Sequence, residues 1–118
     1  MAADIEIRPI AGALGAELHG VDLARDLDDN TTFAAIHQAL LDHCVIFFRD
    51  QEITPEQQLG FARRFGDIHL HPYIAGMPDY PEIIEILKTE TDTYNFGNDW
   101  HTDQMFAPKP AMATMLYA

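Results

Sequence analysis

Proline and glycine interrupt the middle of this sequence and separate a first part with regular patterns from a stretch that is predicted to be loop. Between Asp67 and Pro81 four such residues occur: Pro72, Gly76, Pro78 and Pro81. Proline fixes its own φ angle and lacks an N–H donor, so this spacing is incompatible with a long helix or a central strand. Because loops often carry function, the two histidines of this loop, His69 and His71, are candidate functional residues.

Before this loop, the spacing of apolar residues alternates between strand and helix patterns. Ile5 and Ile7 alternate with charged residues, and a similar short segment follows at residues 16–21, so two strands are predicted. A helix is predicted to follow the polar residues 28–30 and to continue to His43. The apolar run 45–48 predicts a third strand, and Cys44, at the start of this run, is expected to be buried with it.

A second helix has the clearest start in the sequence. Thr54 is a suitable N-cap, Pro55 fits the first helical position, and Gln57 is placed to complete a capping box. Gly66 is expected to end this helix. After the loop, residues 83–87 and 111–117 have the composition of strands. The last of these runs reaches the end of the sequence, so the chain is expected to be cut off from a longer domain.

Length, charge and cysteine content restrict the size of the fold and the class of partner. A chain of 118 residues has room for one domain at most, and a formal net charge of −12 would repel nucleic acid and anionic membranes. Neither partner is expected. A single cysteine excludes an intrachain disulfide, no signal peptide is visible, and no apolar run approaches the roughly 18 residues of a membrane span. A cytoplasmic location is therefore expected.

His101 and Asp103 stand two positions apart, with Trp100 and Phe106 near them. In an extended chain such residues point to the same face, so an imidazole and a carboxylate can converge on one ion. Two imidazoles and one carboxylate on one face of an octahedral ion are the ligand set of non-haem iron(II) oxygenases. On spacing alone, a surface histidine hydrogen-bonded to a neighbouring carboxylate is the more common arrangement, so the motif by itself does not establish a metal site. Trp100 and Phe106 are expected to pack around the site.

Four segments in a fixed order, covering the chain nearly end to end, give this motif a context. They are GAELHGVDL at 15–23, VIFFRDQ at 45–51, RFGDIHLHP at 64–72, and WHTD at 100–103 followed by Phe106. In this combination the chain resembles the amino-terminal part of the TauD/TfdA family of iron(II)- and 2-oxoglutarate-dependent dioxygenases. A motif in its expected context is far more specific than the same motif alone.

The resemblance implies an α+β, mostly β fold, namely part of a double-stranded β-helix, or jelly roll, with flanking helices. Residues 1–118 would be the amino-terminal portion of a single domain, truncated at its carboxyl end. The implied reaction uses iron(II), dioxygen and 2-oxoglutarate as cosubstrate to hydroxylate a substrate C–H bond. His101 and Asp103 match two metal ligands of the family, whereas the second ligand histidine and the arginine that binds 2-oxoglutarate are expected beyond Ala118. The chain alone is therefore expected to be inactive.

The same resemblance points to a small anionic organic substrate, such as a sulfonate, a carboxylate or an aryloxy acid. In the taurine enzyme of the family, the second histidine of the His-x-His-Pro motif contacts the anionic head group, and His71 occupies that position here. Tyr73 is a second candidate for substrate binding. The family pattern has an aromatic residue where this chain has Ile74 and an asparagine where it has Gly97. These departures argue against taurine itself.

Three alternatives stay open at the level of sequence. His69 and His71 are two positions apart, so one alternative is a zinc site that they form together with His101 and Asp103. His71 can also be a loop histidine that only hydrogen-bonds the backbone. Finally, the chain can be a non-catalytic fragment or a metal-binding module of the same fold. A homo-oligomer is left open.

Overall fold

The computed structural model describes residues 4–118, which divide into two compact units at the junction between Gly66 and Asp67. The first unit contains a mixed three-stranded sheet of β1 (Glu6–Pro9), β2 (Ala16–His19) and β3 (Ile46–Phe47). β2 lies in the centre; it pairs antiparallel with β1 and parallel with β3. The three predicted strands are present, and the third is shorter than the apolar run that predicts it.

Two helices accompany this sheet, α1 (Asn30–His43) and α2 (Pro55–Phe65), with a short 3-10 helix at Asp26–Asp28. Parallel strands need a crossover connection, and α1 provides it between β2 and β3. The α2 capping box is formed as the sequence predicts: Thr54 accepts from the Gln57 backbone N–H, and the Gln57 side chain accepts from the Thr54 N–H at 2.8 Å. Gly66 follows α2 as predicted.

The core of the first unit lies between the central strand and the two helices. Along β2, Ala16 and Leu18 are buried while Glu17 and His19 are partly exposed, the alternation expected of a strand with one covered face. Helix residues complete the apolar core, and the buried members are Ile36, Ala39, Leu59 and Phe61.

Cys44 is exposed, which corrects the prediction of a buried thiol. The reason is local backbone geometry. Cys44 ends α1 with a φ of 65° and donates its N–H to the carbonyl of Leu40, so the chain turns sharply before β3 begins. Composition alone assigns Cys44 to the apolar run, whereas the turn places it at the surface.

The second unit, residues 67–118, consists of turns and irregular backbone and contains no helix or strand within those described residues. The predicted loop over 67–81 is confirmed. The strands predicted at 83–87 and 111–117 are wrong for this structure, and Leu87 and Leu116 are 77% and 85% exposed. A strand requires a neighbouring backbone for its hydrogen bonds, and no described segment provides one for either run.

The coarse fold class, α+β with a small mixed sheet, agrees with the sequence analysis. Helices nevertheless contain more of the described residues than strands do. The jelly roll implied by the family resemblance stays a prediction. None of the helices formed by residues 4–118 has the length and apolar character needed to span a membrane.

Candidate metal centre

The side chains of His101 and Asp103 converge. Nε2 of His101 lies 3.4 Å from Oδ1 of Asp103, and both side chains are a little more than half exposed, at 55% and 58%. The backbone bends at Asp103 instead of continuing as a strand. The two groups therefore meet at one point, as their spacing predicts, although residues 101–103 do not form a strand.

A backbone carbonyl determines which nitrogen of His101 is available to a metal. Nδ1 of His101 lies 2.7 Å from the carbonyl oxygen of Asp99. A carbonyl oxygen can only accept, so Nδ1 donates, and the lone pair of a neutral ring belongs to Nε2. Histidine ligands in metal sites are commonly oriented in this way through their second nitrogen.

The donor atoms fit a divalent cation. In the neutral state a nitrogen lone pair faces a carboxylate oxygen, an arrangement that is repulsive unless a proton or a cation lies between the two atoms. The 3.4 Å separation is longer than the 2.7–2.9 Å of a charge-assisted N–H···O⁻ bond. Two ligands that bind one ion at right angles at about 2.1 Å lie roughly 3 Å apart, so a bound cation would bring these two atoms closer together. The role of these residues as metal ligands stays a prediction.

Thr114 holds the other oxygen of the Asp103 carboxylate. Its hydroxyl donates to Oδ2 of Asp103 over 3.0 Å, across 11 positions of sequence. Oδ1 is thereby left to face His101. Sequence reasoning missed Thr114, because a threonine in an apolar run carries no pattern that connects it to a distant carboxylate.

His69 contacts the residue that follows Asp103. Its Nε2 lies 2.7 Å from the side-chain oxygen of Gln104, whose backbone has a left-handed φ of 51°. His69 therefore restrains, through a hydrogen bond, the segment that contains the candidate ligand Asp103. Residues 4–118 contain no group of three or more His, Cys, Asp or Glu side chains that could hold a metal, so the alternative zinc site is not formed.

His71 is fixed by two backbone hydrogen bonds. Its Nδ1 accepts the N–H groups of Tyr73 and Ile74, each over 3.1 Å. Nδ1 therefore carries the lone pair, and Nε2 of the neutral ring carries the proton. The alternative in which His71 bonds the backbone is thus observed at one nitrogen, and the other nitrogen is left as a donor.

Aromatic rings adjoin His71. Tyr73 has its ring centroid 6.2 Å from that of His71 and 6.1 Å from that of Phe106, three residues after Asp103. Tyr73 is 82% exposed, so the rings line a surface that a ligand can reach. The expected packing of Trp100 around the metal site is wrong, because its side chain is fully exposed. Phe106 contacts Tyr73 instead.

Gly97 lies beside His101 and has a left-handed φ of 70°. A Cβ built at this position would lie 3.5 Å from Cε1 of His101, an ordinary contact distance. Asparagine is among the few other residues that tolerate this conformation. Glycine and the family's asparagine can therefore both adopt the backbone conformation found at position 97. A shallow surface pocket of ≈ 420 Å³, lined by residues 97–101, opens next to the imidazole.

Comparison with known proteins gives consistent matches over this chain. The sequence profile of the family described as "Taurine catabolism dioxygenase TauD, TfdA family" matches residues 6–118. An alpha-ketoglutarate-dependent sulfate ester dioxygenase from Pseudomonas putida is 36% identical over 116 residues, which are 98% of this chain and 37% of that protein. An (S)-phenoxypropionate/alpha-ketoglutarate-dioxygenase from Sphingobium herbicidovorans is 32% identical over 121 residues, covering 100% of this chain and 42% of that protein.

A solved structure has a similar fold over part of this chain. The crystal structure of a taurine dioxygenase from Burkholderia xenovorans matches with a TM-score of 0.60 and 44% sequence identity. The match covers 65% of this chain and 28% of that one. The chain thus spans well under half the length of each of these relatives.

Proposed function

Since the chain belongs to the taurine catabolism dioxygenase TauD, TfdA family, we propose that it forms part of an iron(II)- and 2-oxoglutarate-dependent dioxygenase. The observation that carries this proposal is the convergence of His101 and Asp103, in which Nε2 of the imidazole lies 3.4 Å from a carboxylate oxygen. His101 Nε2 and Asp103 Oδ1 would hold the metal. Asp99 fixes the ring of His101, and Thr114 fixes the carboxylate of Asp103.

If iron(II) binds at this pair, it would supply the redox chemistry that couples decarboxylation of 2-oxoglutarate by dioxygen to hydroxylation of a substrate C–H bond. The residues of the chain have a different task. His101 and Asp103 would each provide one ligand to the ion, and its other positions would be available to the cosubstrate and dioxygen. Gly97 has no side chain that would lie beside the imidazole, and the adjoining pocket allows access.

His71 and Tyr73 would bind a small organic anion. His71 is held by Tyr73 and Ile74 with its Nε2 proton available, so it can donate a hydrogen bond to a sulfonate, sulfate or carboxylate oxygen. Tyr73 and Phe106 provide aromatic surface for the organic part of the substrate. The names of the relatives support this class: a sulfate ester, a phenoxypropionate and taurine are each small molecules with an acidic group.

We propose further that residues 1–118 form the amino-terminal portion of a single jelly-roll domain, with the third metal ligand and the arginine for 2-oxoglutarate supplied by sequence outside this chain. The cytoplasmic location and the absence of nucleic acid and membrane partners stay predictions from composition. The oligomeric state stays open.

A second candidate function is a non-catalytic metal-binding module. One observation favours it for the 118 residues taken alone: residues 4–118 bring only a histidine and an aspartate together at the site. Such a pair can bind a cation but leaves the ion without the third protein ligand of the oxygenase centre.

The two candidates differ in turnover by the full-length protein that contains this chain. With iron(II) and 2-oxoglutarate, we expect succinate release that depends on one of two test anions, an alkyl sulfate ester or a phenoxy acid. His101→Ala and Asp103→Ala should each abolish it, whereas Thr93→Val, a substitution elsewhere in the second unit, should not. Full activity in both ligand variants would refute the assignment of these residues.

The isolated 118-residue chain provides the complementary test. We expect it to release no succinate under the same conditions, because it brings only two protein ligands to the ion. Succinate release from this chain that disappears in His101→Ala would show that the metal centre is complete within these residues.

A further inference from the structure

Thr114 connects the carboxyl-terminal stretch of the second unit to the candidate metal centre through a side-chain hydrogen bond. It lies in the irregular carboxyl-terminal stretch, 11 positions from Asp103, and its hydroxyl donates to Oδ2 over 3.0 Å. Asp103 is 58% exposed, so its carboxylate could be solvated by water without this partner. The hydrogen bond is therefore not needed to solvate the carboxylate, and its effect is to orient the Asp103 side chain.

The direction of this carboxylate decides which oxygen meets the metal. The last torsion of an aspartate is broad and roughly two-fold, so an unrestrained carboxylate samples many orientations. With Oδ2 engaged by Thr114, Oδ1 is the oxygen that lies 3.4 Å from His101 Nε2. Threonine is suited to this task because its branched Cβ restricts χ1 and thus the position of its hydroxyl.

We propose that Thr114 is a positioning residue for the metal ligand Asp103, which it holds so that a single oxygen faces the cation. The inference rests on the proposed function, since it requires a cation between His101 and Asp103. Thr114 itself contributes no metal ligand. Its hydroxyl proton stays on the threonine and points to Oδ2, so the carboxylate keeps its full charge for the ion.

The positioning role and a purely structural role of Thr114 predict different effects on backbone hydrogen exchange. Both partners of the hydrogen bond are exposed, and water can replace either of them, so the bond should contribute little to the stability of the second unit. If Thr114 only positions Asp103, removing its hydroxyl should lower the metal affinity and leave backbone hydrogen exchange in residues 67–118 nearly unchanged. Under a structural role, faster exchange would accompany any loss of affinity.

Metal affinity can be read at the site itself. We would titrate the 118-residue chain with Zn²⁺ and follow the ¹⁵N resonances of the His101 ring, so that weak binding elsewhere on this acidic chain does not contribute to the signal. Thr114→Val, which replaces the hydroxyl by a methyl group, should lower the affinity about tenfold, the lower end of the usual effect of losing a partner of a metal ligand. Thr114→Ser should restore most of it. Thr93→Val is the matched control and should bind like the unmodified chain.

Asp103→Ala separates failure of this inference from failure of the proposed function. If Zn²⁺ fails to shift His101, or shifts it equally in Asp103→Ala, the metal centre does not exist and both proposals are overturned. If Asp103→Ala loses the site but Thr114→Val binds as tightly as the unmodified chain, the role of Thr114 alone is overturned. An equal loss in Thr114→Ser and Thr114→Val, or exchange accelerated throughout residues 67–118, would also overturn it.

Discussion

His69 and Gln104 are joined by a 2.7 Å side-chain hydrogen bond across 35 positions of sequence, and Gln104 is the residue immediately after the candidate ligand Asp103. Gln104 has a left-handed φ of 51°, a conformation that costs free energy in any residue with a side chain. It also accepts, through its backbone carbonyl, the N–H of Ala107. His69 thus restrains the strained turn at Gln104, which directly follows the candidate ligand Asp103.

We predict that His69→Leu weakens this turn by about 1 kcal/mol, the usual net contribution of one hydrogen bond. The amide of Ala107 should then exchange with solvent faster, which NMR can measure. Gln104→Leu should have a similar effect, and the double variant should add little to either single one, because both remove the same bond. Strictly additive effects would show that the two side chains do not interact.

Gly97 tests whether the departure from the family pattern is a matter of backbone conformation. Its φ of 70° should make Gly97→Ala unfavourable by about 1 kcal/mol, whereas Gly97→Asn should be better tolerated despite its larger side chain. Hydrogen exchange of the amides in residues 97–101 should therefore be about fivefold faster in the alanine variant than in the unmodified chain. Faster exchange in the asparagine variant than in the alanine variant would contradict this explanation.

The features predicted correctly from sequence are those in which the determining residues are close neighbours in the chain. The start of α2 depends on Thr54, Pro55 and Gln57, and the approach of His101 to Asp103 depends on a spacing of two. Such signals are complete within a few residues, so they can be recognised without knowing the rest of the fold.

The features that sequence reasoning missed depend on contacts between distant residues or on one backbone angle. The hydrogen bonds of Thr114 and His69 connect positions 11 and 35 residues apart, and the sequence near each residue does not indicate its partner. The run 83–87 has strand composition, yet it lacks a paired backbone among the described residues. Cys44 is exposed because one positive φ angle redirects the chain. Local composition specifies none of these.

The capping box of α2 predicts a measurable contribution to the stability of the first unit. Thr54→Ala should lower the free energy of unfolding by about 1 kcal/mol, because the Gln57 backbone N–H loses its acceptor. Thr54→Ser keeps a hydroxyl and should retain most of this stability. Urea denaturation of the two variants gives the comparison. Equal losses in both would indicate that the hydroxyl is not the stabilising group.

The ion pair between Glu17 and Arg49 predicts a pH-dependent contribution to stability. Nε and Nη2 of Arg49 each lie 2.9 Å from Oε1 of Glu17, and this hydrogen-bonded guanidinium, with His19 adding to it, holds the pKa of the Glu17 carboxyl below its usual range. A folded-state pKa that is lower than the unfolded one means that the charged form favours folding. The contribution is therefore fully present above the unfolded pKa of about 4.3 and is lost as the pH falls through the lower folded value.

Arg49→Gln should remove this contribution, so its free energy of unfolding should differ most from that of the unmodified chain above about pH 4.3. As the pH falls below the folded pKa, Glu17 becomes neutral in both proteins and the difference should shrink. Denaturation across this pH range provides the measurement, and Glu17→Gln, which lacks the titrating carboxyl, is the matched control. In the Glu17→Gln background, adding Arg49→Gln should have an effect that does not vary with pH. A pH-dependent effect of Arg49→Gln that persisted in that background would assign the titration to a carboxyl other than Glu17.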